Sequence, residues 1–371
     1  MFIGICGSIC SGKSTVAQYL IEHHGFTHVS VDPRGQTATK SQDQAPTGPE
    51  ESSEPNTHHR RDTTRTLSFS STDALLEHVT QRWRDRWVTT DIVSKATLDA
   101  FSRRPFFLLI SVDAPLLVRW KRYQQRRAEG SEPSTALSSL HLINAPSDAD
   151  PATDLAAFAA LSDTQLYHPV HGQATHLSTA PVRLLNTSHS LASLYVNLGK
   201  LQLLNPERLR PSWDNYFMSL ASLAAQRSNC MKRRVGCVLI SSTNRVISTG
   251  YNGTPRGLGN CNEGGCARCN SGLGSGHGLA TCLCIHAEEN ALLEAGRERL
   301  GEGAVLYCDT CPCLTCSIKI AQVGVREVVY SQGYSMDGET AAVFREAGVR
   351  LRQFVPPANG LIHLEKMELS I

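Results

Sequence analysis

The sequence predicts an α/β protein built from two domains. It opens with a short apolar strand, a Gly/Ser turn and a helix; Pro206 and Pro211 interrupt the pattern midway; and from Val235 to Phe354 strands and helices alternate. A length of 371 residues fits two domains at roughly 100–200 residues each.

In chain order, residues 2–6 read as the strand and 13–23 as the helix. Between Asp32 and Leu67 there is no Val, Ile, Leu, Met, Phe, Tyr or Trp, so residues 33–66 are expected to be a disordered insertion. Residues 73–87 space their apolar side chains as a helix, and 105–115 form a buried-strand run. A Ser/Ala/Pro/Asp-rich stretch at 129–163 is a second weak region, and helical patterning returns at 188–204. The first domain therefore takes 1–204 and the second 211–355. The second starts with a Ser-capped helix from Ser212 and a hairpin of strands 235–241 and 245–250. Helix from 286, strand 304–308, helix from 313, strand 327–331, helix 338–347 and strand 349–354 follow, giving a mixed sheet whose second half is parallel.

Charge and composition exclude several functions. Thirty-six basic against 34 acidic side chains leave +2, too little for a concentrated cationic face toward nucleic acid. No apolar run reaches the ~18–20 residues of a membrane span, and the N-terminus lacks a basic start and cleavage site, so a cytoplasmic protein, with a nuclear pool also open, is expected. In a reducing compartment thirteen cysteines point to metal ligation or catalysis rather than disulfides, and all but Cys6 and Cys10 lie between 230 and 316.

The strongest pattern is His286-Ala287-Glu288 with Pro312-Cys313-Leu314-Thr315-Cys316. Cys313 and Cys316 share one helical face and His286 starts another helix, which makes three ligands for a catalytic zinc with the fourth tetrahedral position open. Two thiolates and a neutral imidazole balance the ion's charge, and helix N-termini favour thiolates. Glu288 is no ligand here; it is the proton carrier beside the metal. A CxxC alone could be a redox pair or half a zinc finger, and Cys311 is read as a packed neighbouring thiol. H-x-E with P-C-x-x-C is the signature of zinc nucleobase deaminases.

Together with that signature, RSNCMKRRVGCVLI (227–240), GYNGTPRG (250–257), LCIHAEENALLEAG (283–296) and LYCDTCPCLTCSIKIAQVGV (306–325) resemble the fungal-type deoxycytidylate deaminases over about 211–355. The resemblance implies a cytidine-deaminase-like α/β/α sandwich that hydrolyses dCMP to dUMP and ammonia, supplying dUMP for thymidylate synthesis. It also implies that Asn252, with Tyr251 and Gly253 in the same loop, contacts nucleotide, that dCTP activates and dTTP inhibits, with Mg²⁺ accompanying such nucleotides, and that the assembly is a homohexamer. For the substrate phosphate, Arg227 and Ser228 are preferred among a group that includes Lys232, Arg233, Arg234 and Arg256, any of which could equally be a solvated basic end. A free-cytidine deaminase, a kinase with a regulatory C-terminal half and a nucleic-acid editing enzyme are the alternatives.

Cys261, Cys266 and Cys269 sit in a Gly-rich loop that a second, structural zinc would order. Cys282 is the expected fourth ligand, with Cys284, expected to be buried against its helix, and His277 as alternatives; a set of free thiols in a mobile loop is the competing expectation. At the N-terminus, Gly7 to Ser14 satisfies G-x-x-x-x-G-K-[ST] between a strand and a helix, so Gly7, Gly12, Lys13, Ser14 and Thr15 are expected to bind ATP or a related nucleotide, with Mg²⁺ at Ser14. With PFFLLISVDAP and LVRWKRYQQRR this part resembles small P-loop kinases such as dephospho-coenzyme A kinase, implying a P-loop NTPase-like α/β domain. The polar insertion replaces the segment expected to hold an acceptor, and only Asp32 stands out as a base there.

Overall fold

The computed structural model describes residues 1–32, 66–92, 94–130, 150–169, 171–272, 274, 277–333 and 337–364. The chain divides into two compact units, Met1–Leu209 with the segment from Ala358, and Arg210–Pro357.

The first unit is a parallel sheet flanked by helices. Its elements are β1 (Phe2–Gly7), α1 (Lys13–His24), β2 (Thr27–Val31), β3 (Thr66–Phe69), α2 (Thr72–Gln81), β4 (Trp87–Thr89), α3 (Lys95–Ser102), β5 (Phe107–Asp113), α4 (Leu116–Ala128), α5 (Leu155–Tyr167), α6 (Ala174–Thr179), β6 (Val182–Leu185) and α7 (Leu191–Lys200). One more strand, here β12 (Gly360–His363), returns from the far end of the chain, so the order is β12-β6-β5-β1-β4-β2-β3. Central β1 is buried along its whole length, as its unbroken apolar run requires in a parallel sheet covered on both faces.

Three expectations differ here. The helix read over 73–87 stops at Gln81, because Trp87 and Val88 leave it to pair with β1 as β4. Residues 150–163 of the expected weak region are described, and α5 buries Ala157, Phe158 and Leu161 from them. Helix α5 is capped by Asp154, whose side chain accepts from the Ala156 amide; its apolar residues surround it too evenly to advertise one face. The rest of that region, and residues 33–65, lie outside the described residues. Finally, β12 belongs to the first unit, although no local pattern joins residues 360–363 to a domain that otherwise ends some 150 residues earlier.

The second unit contains α8 (Trp213–Ala225), β7 (Gly236–Ile240), β8 (Val246–Tyr251), α9 (Ala287–Ala295), β9 (Val305–Thr310), α10 (Leu314–Gln322), β10 (Glu327–Gln332), α11 (Asp337–Glu346) and β11 (Arg350–Gln353). Ser212 caps α8 through the Asn215 amide. The sheet order is β11-β10-β9-β7-β8: β7 runs antiparallel to β8 and β9, and β9, β10 and β11 are parallel. Helix α8 packs Phe217, Met218 and Ala221 on one face against Val238 and Ile240. On the other face Cys237 and Leu239 meet Ala287, Ala291, Ile320 and Phe344 of α9, α10 and α11. Fully burying a side chain such as Phe217 or Phe344 stabilises this three-layer sandwich by about 1.5–3 kcal/mol. The arrangement sets α9 and α10 side by side, each with its N-terminus at the end of a connection from the sheet.

Candidate metal centres and the loop beside them

His286 is the N-cap of α9 and Cys313 the N-cap of α10. Pro312 ends the extended run and favours this entry, and α11 holds the turn by donating from Thr340 Oγ1 to the Pro312 carbonyl at 2.9 Å. His286 Nδ1 then lies 3.4 Å from Cys313 Sγ and 3.3 Å from Cys316 Sγ, so one imidazole nitrogen and two sulfurs converge on one point. Tetrahedral ligands at about 2.0–2.3 Å from zinc stand at about such mutual separations. The donor set therefore fits zinc, with three ligands from the chain. Hydrogen bonding with Cys316 and then His286 holds the Cys313 thiol well below its usual range, while Cys316, sharing that proton, is pushed up.

Glu288 occupies the first turn of α9 and is 4% exposed. Burial pushes its carboxyl up to about 7. The neighbouring Glu289 serves the helix instead, accepting from the His286 amide at 2.9 Å to close a capping box and pairing with Lys319 of α10. Cys311 is buried and belongs to none of the metal-capable groups among the described residues.

The segment Gly250–Gly253 is bolted at two points to α9 and at a third to the residue leading into its N-cap. Gly250 approaches so closely that a Cβ there would meet the Ala287 carbonyl at 2.1 Å and the Ala291 amide nitrogen at 2.5 Å. Asn290 Nδ2 donates to the Tyr251 carbonyl at 2.9 Å, and Gly253 exchanges both backbone hydrogen bonds with Ile285, the residue before His286. Asn252 is 8% exposed. Its Oδ1 accepts from Ser228 Oγ at 2.7 Å and from the Val235 amide at 2.9 Å, and its Nδ2 donates to the Arg233 carbonyl at 2.7 Å. The carboxamide expected to face a nucleotide is thus also a strut of its own loop. Ser228 is half-buried beside it, whereas Arg227, Lys232, Arg234 and Arg256 are exposed, and Arg233 donates to Gln332 Oε1 at 3.2 Å.

The second cysteine group departs from expectation. Cys261, Cys266, Cys269 and Cys282 do not surround a single point. The sulfurs assemble instead as Cys230/Cys261/Cys269/Cys284 and as Cys266/Cys269/Cys282/Cys284. Cys284 turns toward the thiols rather than only packing under its helix, and Cys230, which belongs to no short-spaced motif, joins from the connection between α8 and β7. His277 is in neither set, and the two residues before it lie outside the described ones. Cys230 stands 31 residues ahead of Cys261, with no short spacing to flag it, whereas Cys284, two residues after Cys282, is among the sequence's candidate ligands.

In the first unit, the loop after β1 has the phosphate-loop form. Gly12 has φ 105, which only glycine adopts freely, and a Cβ there would meet Asn186 Nδ2 at 2.6 Å. Asn186 Nδ2 donates to the Ser11 carbonyl at 2.9 Å and Arg122 of α4 donates to the same carbonyl at 3.3 Å. Lys13 Nζ donates to the Gly7 carbonyl at 2.7 Å, Ser14 is exposed, and Thr15 is half-buried in the first turn of α1. The Ile9 amide, one of the donors a phosphate would use, is already engaged by Gln165 Oε1 of α5 at 2.9 Å.

Among known families, the model described as cytidine and deoxycytidylate deaminase zinc-binding region matches residues 211–332, and an AAA domain model matches 3–138. The chain is 46% identical over 363 residues to deoxycytidylate deaminase of Schizosaccharomyces pombe, covering 97% of this chain and 99% of that one. It is 46% identical over 266 residues to the Saccharomyces cerevisiae deoxycytidylate deaminase, covering 69% and 78%. The deoxycytidylate deaminase of Mycobacterium phage D29 is 45% identical over 126 residues, 33% of this chain but 95% of the phage protein. None of the described helices is long and apolar enough to cross a membrane.

Proposed function

The chain belongs to the deoxycytidylate deaminase family, a zinc-dependent hydrolase converting dCMP to dUMP and ammonia, and on that premise we propose which of its residues carry the reaction. His286, Cys313 and Cys316 hold the catalytic zinc, and the convergence of their three donor atoms beside a buried carboxyl is the observation that carries this assignment. Zinc held by these residues would supply an activated water as the nucleophile toward C4 of cytosine. Glu288 accepts a proton from that water and delivers it to N3; its second transfer goes to the departing amine. The water's oxygen stays on C4, one of its protons on N3 and the other on ammonia. Glu288 lies buried in the first turn of the helix that His286 caps, two residues from that ligand, which suits it to carry both protons.

We infer that Asn252, Tyr251 and Gly253 line the nucleotide sugar, with Ser228 and Arg227 toward its phosphate. Support comes from the family resemblance and from the three ties of this loop to α9 and to Ile285 just ahead of it. Turnover of dCMP measured against CMP, deoxycytidine, cytidine and a short oligonucleotide tests the reading; a preference for an unphosphorylated nucleoside would remove the phosphate role of Ser228 and Arg227.

The resemblance also supports activation by dCTP and inhibition by dTTP, each with Mg²⁺, in a cytoplasmic homohexamer that feeds thymidylate synthesis. Sigmoidal dCMP kinetics becoming hyperbolic with dCTP would be the signature. For the first unit we propose ATP binding at Gly7, Gly12, Lys13, Ser14 and Thr15 with no direct part in deamination.

A further inference from the structure

Six cysteines unused by the catalytic site meet at one place in the second unit. Among the described residues they form one cluster beneath the Gly-rich insertion: Cys261, Cys266, Cys269 and Cys284 are buried together, with Cys230 and Cys282 packed against them and no described aliphatic or aromatic side chain in the cluster. A core of thiols alone offers little hydrophobic stabilisation. The sulfur positions supply another cohesive force. In each of the two sets of four, every sulfur lies within 4.8 Å of the others, and Cys269 and Cys284 belong to both sets. The separations are 3.8 Å for Cys230–Cys269, 3.7 Å for Cys269–Cys282, 3.9 Å for Cys266–Cys282 and 3.9 Å for Cys269–Cys284. Sulfurs placed tetrahedrally at about 2.3 Å from zinc are separated by about 3.8 Å. A disulfide would instead draw two of them to about 2.05 Å, and all six are free thiols.

We propose that these six cysteines hold a two-zinc cluster in which Cys269 and Cys284 bridge the ions. Cys230 and Cys261 complete the tetrahedron of one ion, Cys266 and Cys282 that of the other. Two tetrahedra sharing an edge need six sulfurs, the number present. A single zinc would use one set and strand the two outer thiols of the other against its thiolates.

Charge supports the same assembly. Six thiolates around two Zn²⁺ leave a double negative charge, and hydrogen-bond donors surround the sulfurs. The Met231 amide reaches Cys261 Sγ at 3.5 Å, the Leu283 amide reaches Cys266 Sγ at 3.4 Å, and Arg268 Nη1 stands 4.0 Å from Cys269 Sγ. Tetrahedral all-sulfur sites suit zinc or iron–sulfur clusters. In the latter, inorganic sulfide bridges the irons and the protein sulfurs are terminal, whereas here two protein sulfurs occupy the shared edge. The cluster would fasten the chain ahead of Asn252 to the chain ahead of His286, since Cys230 adjoins Asn229, whose Oδ1 accepts from the Thr254 amide at 3.4 Å, and Cys284 adjoins Ile285.

Metal analysis of the full-length protein tests this directly, with about three zinc ions per chain expected, one catalytic and two here. His286→Ala should lower the content by about one ion and keep the pair, which separates failure of the cluster from failure of the catalytic assignment. After exchange into ¹¹³Cd, the unmutated protein should give two all-thiolate resonances coupled to each other through the bridging sulfurs. About two zinc ions in total, iron with visible absorption, or two thiolate resonances without mutual coupling would overturn the proposal. Cys284→Ser should release both ions while Cys230→Ser releases one; if either variant fails to fold, the coupling in the unmutated protein still decides.

Discussion

The Ser228 hydroxyl lies within hydrogen-bonding distance of both oxygens of Asn252, 2.8 Å from its carbonyl and 2.7 Å from its Oδ1. Ser228 thereby sets the plane of the carboxamide that the proposed function places at the nucleotide. Ser228→Ala should raise the KM for dCMP about tenfold, the effect of losing one hydrogen bond of about 1–1.5 kcal/mol, with kcat changed much less. Steady-state kinetics check the split. Equal losses in kcat and kcat/KM would place Ser228 in the chemical step instead.

Glu288→Gln preserves volume and removes the proposed proton carrier. Turnover should fall by at least ~10²–10⁴-fold, because general acid–base catalysis of even one transfer is worth that much. Zinc content should stay at the wild-type level, since the carboxyl is not among the metal-holding atoms. Near-normal turnover of a zinc-loaded Glu288→Gln protein would refute the role.

Gly250→Ala introduces a methyl group into the space between β8 and α9, against the Ala287 carbonyl and Ala291 amide. Backbone cannot move aside as a flexible side chain can, so a loss of about 3 kcal/mol is expected. Thermal unfolding monitors it, and zinc affinity should weaken in parallel because α9 begins at His286. A stable variant with unaltered metal binding would show that the layers yield more easily than this packing implies.

Asp214 of α8 accepts from Arg352 of β11 through both carboxylate oxygens, at 2.8 and 2.9 Å, and from the Tyr307 hydroxyl of β9 at 2.7 Å. Hydrogen bonding from Arg352, then Tyr307, holds its carboxyl below the usual range. A depressed folded-state value means that the stabilisation is complete above about pH 5, declines as pH falls past the unfolded value near 3.9, and is gone below the folded value. Asp214→Asn should therefore cost about 1.5–3 kcal/mol at pH 7 and nearly nothing at the acid end. Calorimetry of both proteins at the two pH values checks this; a pH-independent difference would contradict the ion-pair account.

Lys13→Ala should lower ATP affinity at least about tenfold by removing the ammonium proposed to contact the outer phosphates. Deamination of saturating dCMP should be unaffected. Calorimetric titration of ATP into both proteins is the measurement, and equal affinities would leave the loop without a nucleotide role.

Much of this molecule is written locally. The P-loop spacing from Gly7 to Ser14, the His286/Glu288 pair and the three-residue step from Cys313 to Cys316 depend only on a few consecutive residues and on helix geometry. The hairpin of β7 and β8 and the alternation that follows are legible for the same reason, since side-chain periodicity is a property of the chain's own repeat. Sequence and structure part where distant chain supplies the partner. Trp87 scans as helix because its spacing from Val79 is helical, yet pairing with Phe2 makes it strand. Helix α5 scans as weak because its alanines and polar residues show no clear stripe, yet burying Phe158 and lending Gln165 to the Ile9 amide fixes it.

The metal sites divide along the same line. Short-range patterns along the chain carry the family chemistry, the catalytic donor types and the existence of a cysteine-rich insertion. Long-range packing is what brings Cys230 and Cys284 into the thiol cluster, braces Asn252 with Ser228 and Val235, and leaves no room for a side chain at Gly250. Each of these depends on atoms far apart along the chain being brought within about 4 Å, and no local pattern encodes such an approach, because the close packing of the two helix layers on the sheet determines where the atoms meet.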